Sequence, residues 1–354
     1  MSGTTSSPGS ETGGGGRPPD CAWIRQTLAH QDSDWIPYNV MLSPWAQRRL
    51  MAHYGDELAA ALALPLRMTS LQSVKPLYAA PAVYGALAVD EFGVGWTTSA
   101  IDRGAPSRPC LPEPTLRRYR FPDPLSPHRF AGLAAWSAAH AGHYRIVWIG
   151  DLWERATFMR GMEALLLDVA LAGAFVEELL ERLTEYVLQS LQGVLACCAC
   201  EAVALSDDYG AQRGLLLSPA TWRRLLRPRL ARIYDQAHRG GRAVFHHTCG
   251  HVEPIVGDLI NIGLDILHPI QPEANDILRL KREFGAHLTL CGGVPTQDLL
   301  VRGTPPQIRT EVRRLQRLLG RGGGYILEPG ITLQADVPAA NLVALVEAAR
   351  QPRG

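Results

Sequence analysis

The chain has 354 residues, 46% of them apolar and 19% charged, with a formal net charge of +1. That length can bury a large core, and the near-neutral balance supplies neither a basic field for nucleic acid nor an acidic tail. No run approaches the roughly 18–20 unbroken apolar residues of a membrane helix; the most apolar stretch, 165–195, is interrupted by Asp168, Glu177, Glu181 and Glu185.

Residues 1–20 are rich in Gly, Ser, Thr and Pro and lack a charged-then-apolar leader. They predict a disordered lead-in before one domain over 21–354, placed in the cytoplasm, where the seven cysteines stay reduced. Trp35 to Ser43 reads as a first strand. Ser43-Pro44 caps a helix running to about Ala63, with proline at its first turn. Residues 64–140 are irregular and proline-rich, with a short hairpin around Asp90–Trp96 and an extended loop from Pro112 to Pro127 whose Phe121 segment can clamp onto the body. From Tyr144 the rhythm becomes regular. Strands are predicted at 144–150, 202–205, 243–247, 264–270, 288–291 and 325–327. Helical segments separate them over 161–197 (broken near Ala172-Gly173), from Ser218 to Gly240, on to Gly263, and over 275–284, 305–319 and 338–350.

Strands alternating with helices imply parallel pairing with right-handed crossovers. Polar residues gather where strands end: Asp207 and Asp208, His247 and Cys249, Gln271 and Glu273, Gly292-Gly293, and Glu328. Every late strand contributes, whereas a doubly wound sheet would concentrate such residues at one switch point. The predicted fold is therefore a single (β/α)8 TIM-type barrel of the α/β class.

Ala243-Val-Phe-His-His-Thr-Cys-Gly250 carries the sharpest chemical signal. Alternation along a strand puts His247 and Cys249 on one face and turns His246 to the other. Imidazole nitrogen and thiolate sulfur suit zinc, but a third ligand must come from elsewhere. The plainer reading is a hydrogen-bonded core histidine and a cysteine used as an apolar filler. Asp207 and Asp208 project to opposite sides, so one of them faces the cleft, with Tyr209 beside it. The alternative for these is a cap or salt bridge. Cys197-x-x-Cys200 ends a helix and reads as packing. Gly322-Gly323-Gly324 precedes its strand and is a turn, because a phosphate loop would have to open a helix. Arginine clusters at 223–232 and 313–317 recur at helical spacing and read as solvated outer faces.

Several blocks resemble the uroporphyrinogen decarboxylase superfamily, which also contains zinc-dependent methyltransferases that move methyl groups between corrinoids and thiols. They are Arg160-Gly-Met-Glu163, Ser206-Asp-Asp-Tyr-Gly210, His247-Thr-Cys-Gly250, Asp265-Ile-Leu-His-Pro-Ile-Gln-Pro272, Cys291-Gly-Gly-Val-Pro-Thr-Gln297, Gly322-Gly-Gly-Tyr-Ile-Leu327 and Gln334-Ala-Asp-Val-Pro338. Asp90-Glu-Phe-Gly93 adds a weaker match in the first third. The resemblance implies a (β/α)8 barrel with its cleft at the strand C-terminal ends. It implies that His247 and Cys249 hold a zinc that turns an acceptor thiol into a thiolate. The methyltransferases usually take another cysteine near the position of Ile331, and none is present here; Cys291, Glu273 and Glu328 are the candidate replacements. Asp207, Asp208 and Tyr209 become catalytic candidates, and Asn39, Asp90, Gln271, Gln297 and Glu328 substrate-binding ones. No Asp-x-His-x-x-Gly motif occurs, so a corrinoid would be free or carried by a separate corrinoid protein. A homodimer is left open. Two other functions compete. Porphyrinogen decarboxylation needs a cationic cleft, and the arginine-rich N-terminal motif of the decarboxylases is replaced here by Trp35–Ser43, which has no arginine. A non-catalytic small-molecule-binding barrel is the third, suggested by the missing cysteine and by Pro295, where the family often has aspartate.

Overall fold

The computed structural model describes residues 20–72, 81–99 and 104–354. The predicted lead-in lies outside these except for Asp20, which instead opens a helix, Asp20–Leu28. Seven strands form one parallel sheet: Leu66–Ser70, Tyr144–Gly150, Ala202–Ser206, Ala243–His247, Ile266–Ile270, Thr289–Val294 and Tyr325–Pro329. They lie side by side in chain order, so each connection crosses over through helices, as parallel pairing requires. The last three strands are buried along their whole length, which explains their almost unbroken apolar character.

The helices carry the signals that place them. Pro305–Leu319 starts with a reciprocal Thr304/Gln307 capping box and prolines in its first turn, and it stops at Gly320. Gly173–Cys197 buries Val176, Leu179, Leu180, Leu183, Val187, Leu191 and Val194, the stripe of an amphipathic helix. The break before it falls at Ala172, as expected. Among the described residues no helix is long and apolar enough to cross a membrane. All seven cysteines are free thiols; Cys200 is buried, Cys197 lies at an exposed helix end, and neither pairs with the other.

The sheet curls. Leu66 and Ile326, from its two edge strands, pack in one interior cluster with Ile146, Ala204, Phe245, Ile266 and Cys291, and Ile24 of the first helix joins them. The expected ring of eight paired strands does not form among the described residues. Trp35 to Ser43 is not a full strand; its backbone pairs with the last strand region through isolated bridges at Tyr38–Leu327 and Leu42–Leu333. Pro37 has no N–H to offer, which thins the ladder there. The strand at Leu66–Ser70 takes the edge beside Tyr144–Gly150, and the sequence had concealed it within an irregular region.

The 90s hairpin is present, Leu87–Val89 pairing antiparallel with Gly95–Thr97. Phe121 docks under the Arg182 guanidinium at 5.0 Å, on the long helix. Gly322, Gly323 and Gly324 all have positive φ, and a Cβ on Gly324 would meet the His30 ring at 2.4 Å, so this turn must be glycine. One arginine departs from the solvated face expected of its cluster. Arg229 is buried at a helix–helix seam, 3.4 Å from Glu177 and 3.3 Å from Glu181, instead of solvated.

Candidate functional site

A cavity of about 770 Å³ opens over the C-terminal ends of the first four sheet strands, where Ser70, Gly150, Ser206 and His247 lie. Alternation works as expected at its floor. His247 faces the cavity, whereas His246 turns into the helical layer, with its Nδ1 2.6 Å from the Tyr234 hydroxyl. Cys249 comes back to the same side, its Sγ 3.2 Å from His247 Nε2. Asp208 completes the group: its Oδ1 lies 3.5 Å from His247 Nε2 and accepts the Cys249 backbone N–H at 2.8 Å. Nitrogen, sulfur and oxygen donors of Asp208, His247 and Cys249 all lie within 4.8 Å of one another, half-buried.

Below this group sits a second one. His268 pairs in register with His247 on the adjacent strand, and the two Nδ1 atoms are 2.9 Å apart. His268 Nε2 points at Glu328, 3.5 Å from Oε2. Glu328 also accepts from Cys291 Sγ at 3.1 Å and from Asn39 Nδ2 at 2.9 Å. His268, Cys291 and Glu328 are fully buried. Desolvation sets their protonation: it lowers His268 far below the usual imidazole range, raises Cys291, and lifts Glu328 to about 7.

Several sequence candidates take supporting positions. Asp207 is buried, accepting backbone N–H bonds from Leu152 and Glu154 and the Tyr209 hydroxyl proton at 3.0 Å. It ties the strand ends together, and Tyr209 with it; neither opens onto the cavity. Of the two aspartates, Asp208 is the one beside the cavity-lining His247. Glu273 stands apart from His247: its Oε1 accepts the backbone N–H groups of Thr296 and Gln297. Cys291 and Glu328 likewise belong to the lower group and do not join His247 and Cys249. Asp90 accepts from Phe92, Val94, Trp96 and Arg155, so it is the hub of the hairpin. Gln271 Oε1 accepts from Gly250 N at 3.1 Å and braces the Cys249 turn. Gln297 bonds Gln212 at the exposed rim.

Sequence reasoning passed over His268, although it lies inside one of the motif blocks. It also passed over Asp151, Glu154, Arg155, Glu91 and Arg129, which line the cavity wall. Arg155 pairs with Asp90 and Asp151, and Arg129 pairs with Glu91 at 2.6 Å.

The turn that delivers Cys249 depends on Gly250. Its φ is +80°, and a Cβ there would come within 2.4 Å of the Gly210 backbone. Gly250→Ala is therefore expected to cost roughly 1–3 kcal/mol through strain and displacement. Urea unfolding of parent and variant measures this; unchanged stability would mean the two loops part without penalty.

The family model for uroporphyrinogen decarboxylase (URO-D) matches residues 146–352. Among solved structures, a methyltransferase from Methanosarcina mazei is similar over 92% of this chain and 96% of its own, with a TM-score of 0.70 and 17% sequence identity. At that identity the likeness is one of fold. No curated protein matches the chain.

Proposed function

Because the chain belongs to the uroporphyrinogen decarboxylase family, whose wider superfamily includes decarboxylases and methyltransferases, we propose that it is a zinc-dependent methyltransferase with a thiol acceptor. The observation that carries this reading is the Asp208–His247–Cys249 group at the strand ends, whose His247 lines the cavity. Its donors suit the metal: one imidazole, one thiolate and one carboxylate neutralise a divalent ion and leave room for a fourth ligand. Asp208 would serve as the third ligand that the absent cysteine does not supply. Bound there, zinc would supply Lewis acidity, holding an acceptor thiol as the nucleophilic thiolate.

The chain's own residues prepare that chemistry. His247 would use Nε2, because Nδ1 is engaged by His268, and this fixes the ring's orientation. Trp148 packs edge-on to His247 at 6.2 Å and gives the cavity an apolar wall. A cavity of about 770 Å³ suits a small acceptor, which leaves the methyl donor at its mouth. We read that donor as a corrinoid, free or carried by a partner protein. The wall weighs against a polycarboxylate porphyrinogen. Among the described lining residues, Arg129 and Arg155 are already paired with carboxylates, and Glu91, Asp151 and Glu154 outnumber them.

The test uses cobalt-substituted protein and a small alkyl thiol. Adding the thiol should increase the cobalt–thiolate absorption, and methylcobalamin should then methylate it. Cys249→Ala/Asp208→Ala should remove the spectral change and slow transfer by about 100-fold or more, the scale of a lost Lewis acid. Absence of both the absorption change and the transfer in the metal-loaded parent would sink the reading.

A further inference from the structure

We propose that His268, Cys291 and Glu328 form a second, buried metal site that competes with the cleft group, so that one ion is held per chain at either position. The buried site stands on its own geometry; the competition rests on the cleft reading above.

Three donors converge in the interior of the curled sheet, all within 4.8 Å of one another. Cys291 Sγ and His268 Nε2 approach the same carboxylate oxygen, Glu328 Oε2, at 3.1 and 3.5 Å. Asn39 holds the other oxygen and so fixes the carboxylate's direction. His268 Nε2 is fully buried, aimed into this group, and has no hydrogen-bond partner. A buried polar atom without a bond is costly, and a cation among these donors would satisfy it. With the thiol and carboxyl deprotonated, the set carries two negative charges and neutralises a divalent ion away from water. Thiolate with imidazole selects zinc or cobalt over magnesium or calcium.

The link to the cleft is the 2.9 Å contact between His247 Nδ1 and His268 Nδ1. Two neutral imidazoles have four ring nitrogens and two protons. One proton lies in the Nδ1–Nδ1 bond, so the other must sit on one of the two Nε2 atoms. Only the remaining Nε2 has a lone pair for metal. With the ion in the cleft, His247 Nδ1–H donates to His268, whose Nδ1 accepts and whose only proton sits on Nε2. With the ion below, the bridge proton belongs to His268 and His247 Nε2 is protonated. Filling both sites would strip a further proton and leave an imidazolate. The lower position lies away from the cavity, so an ion there is out of reach of substrate.

Cobalt(II) is the probe. Four reduced, chelator-stripped proteins are loaded and freed of excess metal: the parent, Cys249→Ser/Asp208→Asn, Cys291→Ser/Glu328→Gln, and the combination of all four substitutions. About one cobalt per chain with thiolate absorption is expected in the first three, and none in the fourth. The decisive protein is Cys249→Ser/Asp208→Asn, because it alters only half-exposed residues and leaves the interior intact. If it takes up no cobalt while the parent does, the buried site is overturned and the cleft reading stands. If cobalt is absent only when Cys291 and Glu328 are changed, with circular dichroism showing a folded chain, the cleft reading fails and the buried site stands. Two ions per parent chain would overturn the competition, and none would overturn both sites.

Discussion

Arg155→Met is expected to destabilise the protein by about 3–5 kcal/mol, the cost of leaving buried charges without their partner. The guanidinium lies on the helix Trp153–Arg160 and is 5% exposed. One nitrogen bonds Asp90 at 2.8 Å and another bonds Asp151 at 3.2 Å, while the Phe92 ring lies 4.4 Å beneath the charge. Both carboxylates are buried. Asp90 in turn holds the backbone of Phe92 and Val94 and the Trp96 indole, so the loss spreads into the hairpin that walls the cavity. Methionine fills much of the volume, which isolates the charge effect from a cavity effect. Arg155→Lys should recover only part of the stability, because an ammonium cannot span two carboxylates with a planar fork. Denaturant unfolding of both variants measures this. A Met variant within about 0.5 kcal/mol of the parent, the range of ordinary surface changes, would show that the carboxylates find other partners or protons.

The regular half of the fold could be read directly from the residues. Tyr144–Gly150 and the later strands are short apolar runs ended by Gly or polar groups, and the helix Pro305–Leu319 carries its own start and stop signals. Leu66–Ser70 escaped because Leu-Arg-Met-Thr-Ser has one β-branched residue and a half-exposed edge position. Trp35–Ser43 looked like a strand because its composition is right, but composition does not reveal whether a neighbour supplies the ladder.

At the site, the two-residue period correctly separated His247 and Cys249 from His246. It could not choose between Asp207 and Asp208. That choice is made by the Leu152 and Glu154 backbone N–H groups, which claim Asp207. Cys291 points into the interior cluster, where it meets Glu328 and His268 instead of His247. The relative heights of neighbouring strands decide that outcome, and one-dimensional alternation does not encode them. His268 was hidden in the apolar run Leu264–Ile270, where a buried histidine reads as core. Its meaning comes from the partner across the ladder.

Stability of the metal-free protein is expected to fall in acid, with His246 a principal cause. The ring is fully buried, with one nitrogen held by Tyr234 and the other, Nε2, without a partner. Desolvation, with a smaller contribution from His247, lowers its pKa to about 3. An unfolded histidine titrates near 6.5. Below that value the unfolded chain takes up a proton that the folded chain refuses. The contribution is therefore complete above pH 6.5 and is lost as pH falls towards 3. By pH 4.5 this amounts to about 2–3 kcal/mol, on the scale of roughly 1.4 kcal/mol per pH unit. His268, also lowered by burial, adds in the same direction. Glu328, raised to about 7, acts oppositely: its contribution is present below its unfolded value and is lost as pH rises through 7. A single pH profile mixes these slopes, so the informative quantity is a difference. His246→Gln keeps an acceptor for the Tyr234 hydroxyl and removes the titration. Unfolding free energies of chelator-treated parent and variant should converge by about 2–3 kcal/mol between pH 7 and 4.5. Parallel profiles would mean that the buried imidazole accepts its proton in the folded state, through water or a shift of the helical layer against the sheet.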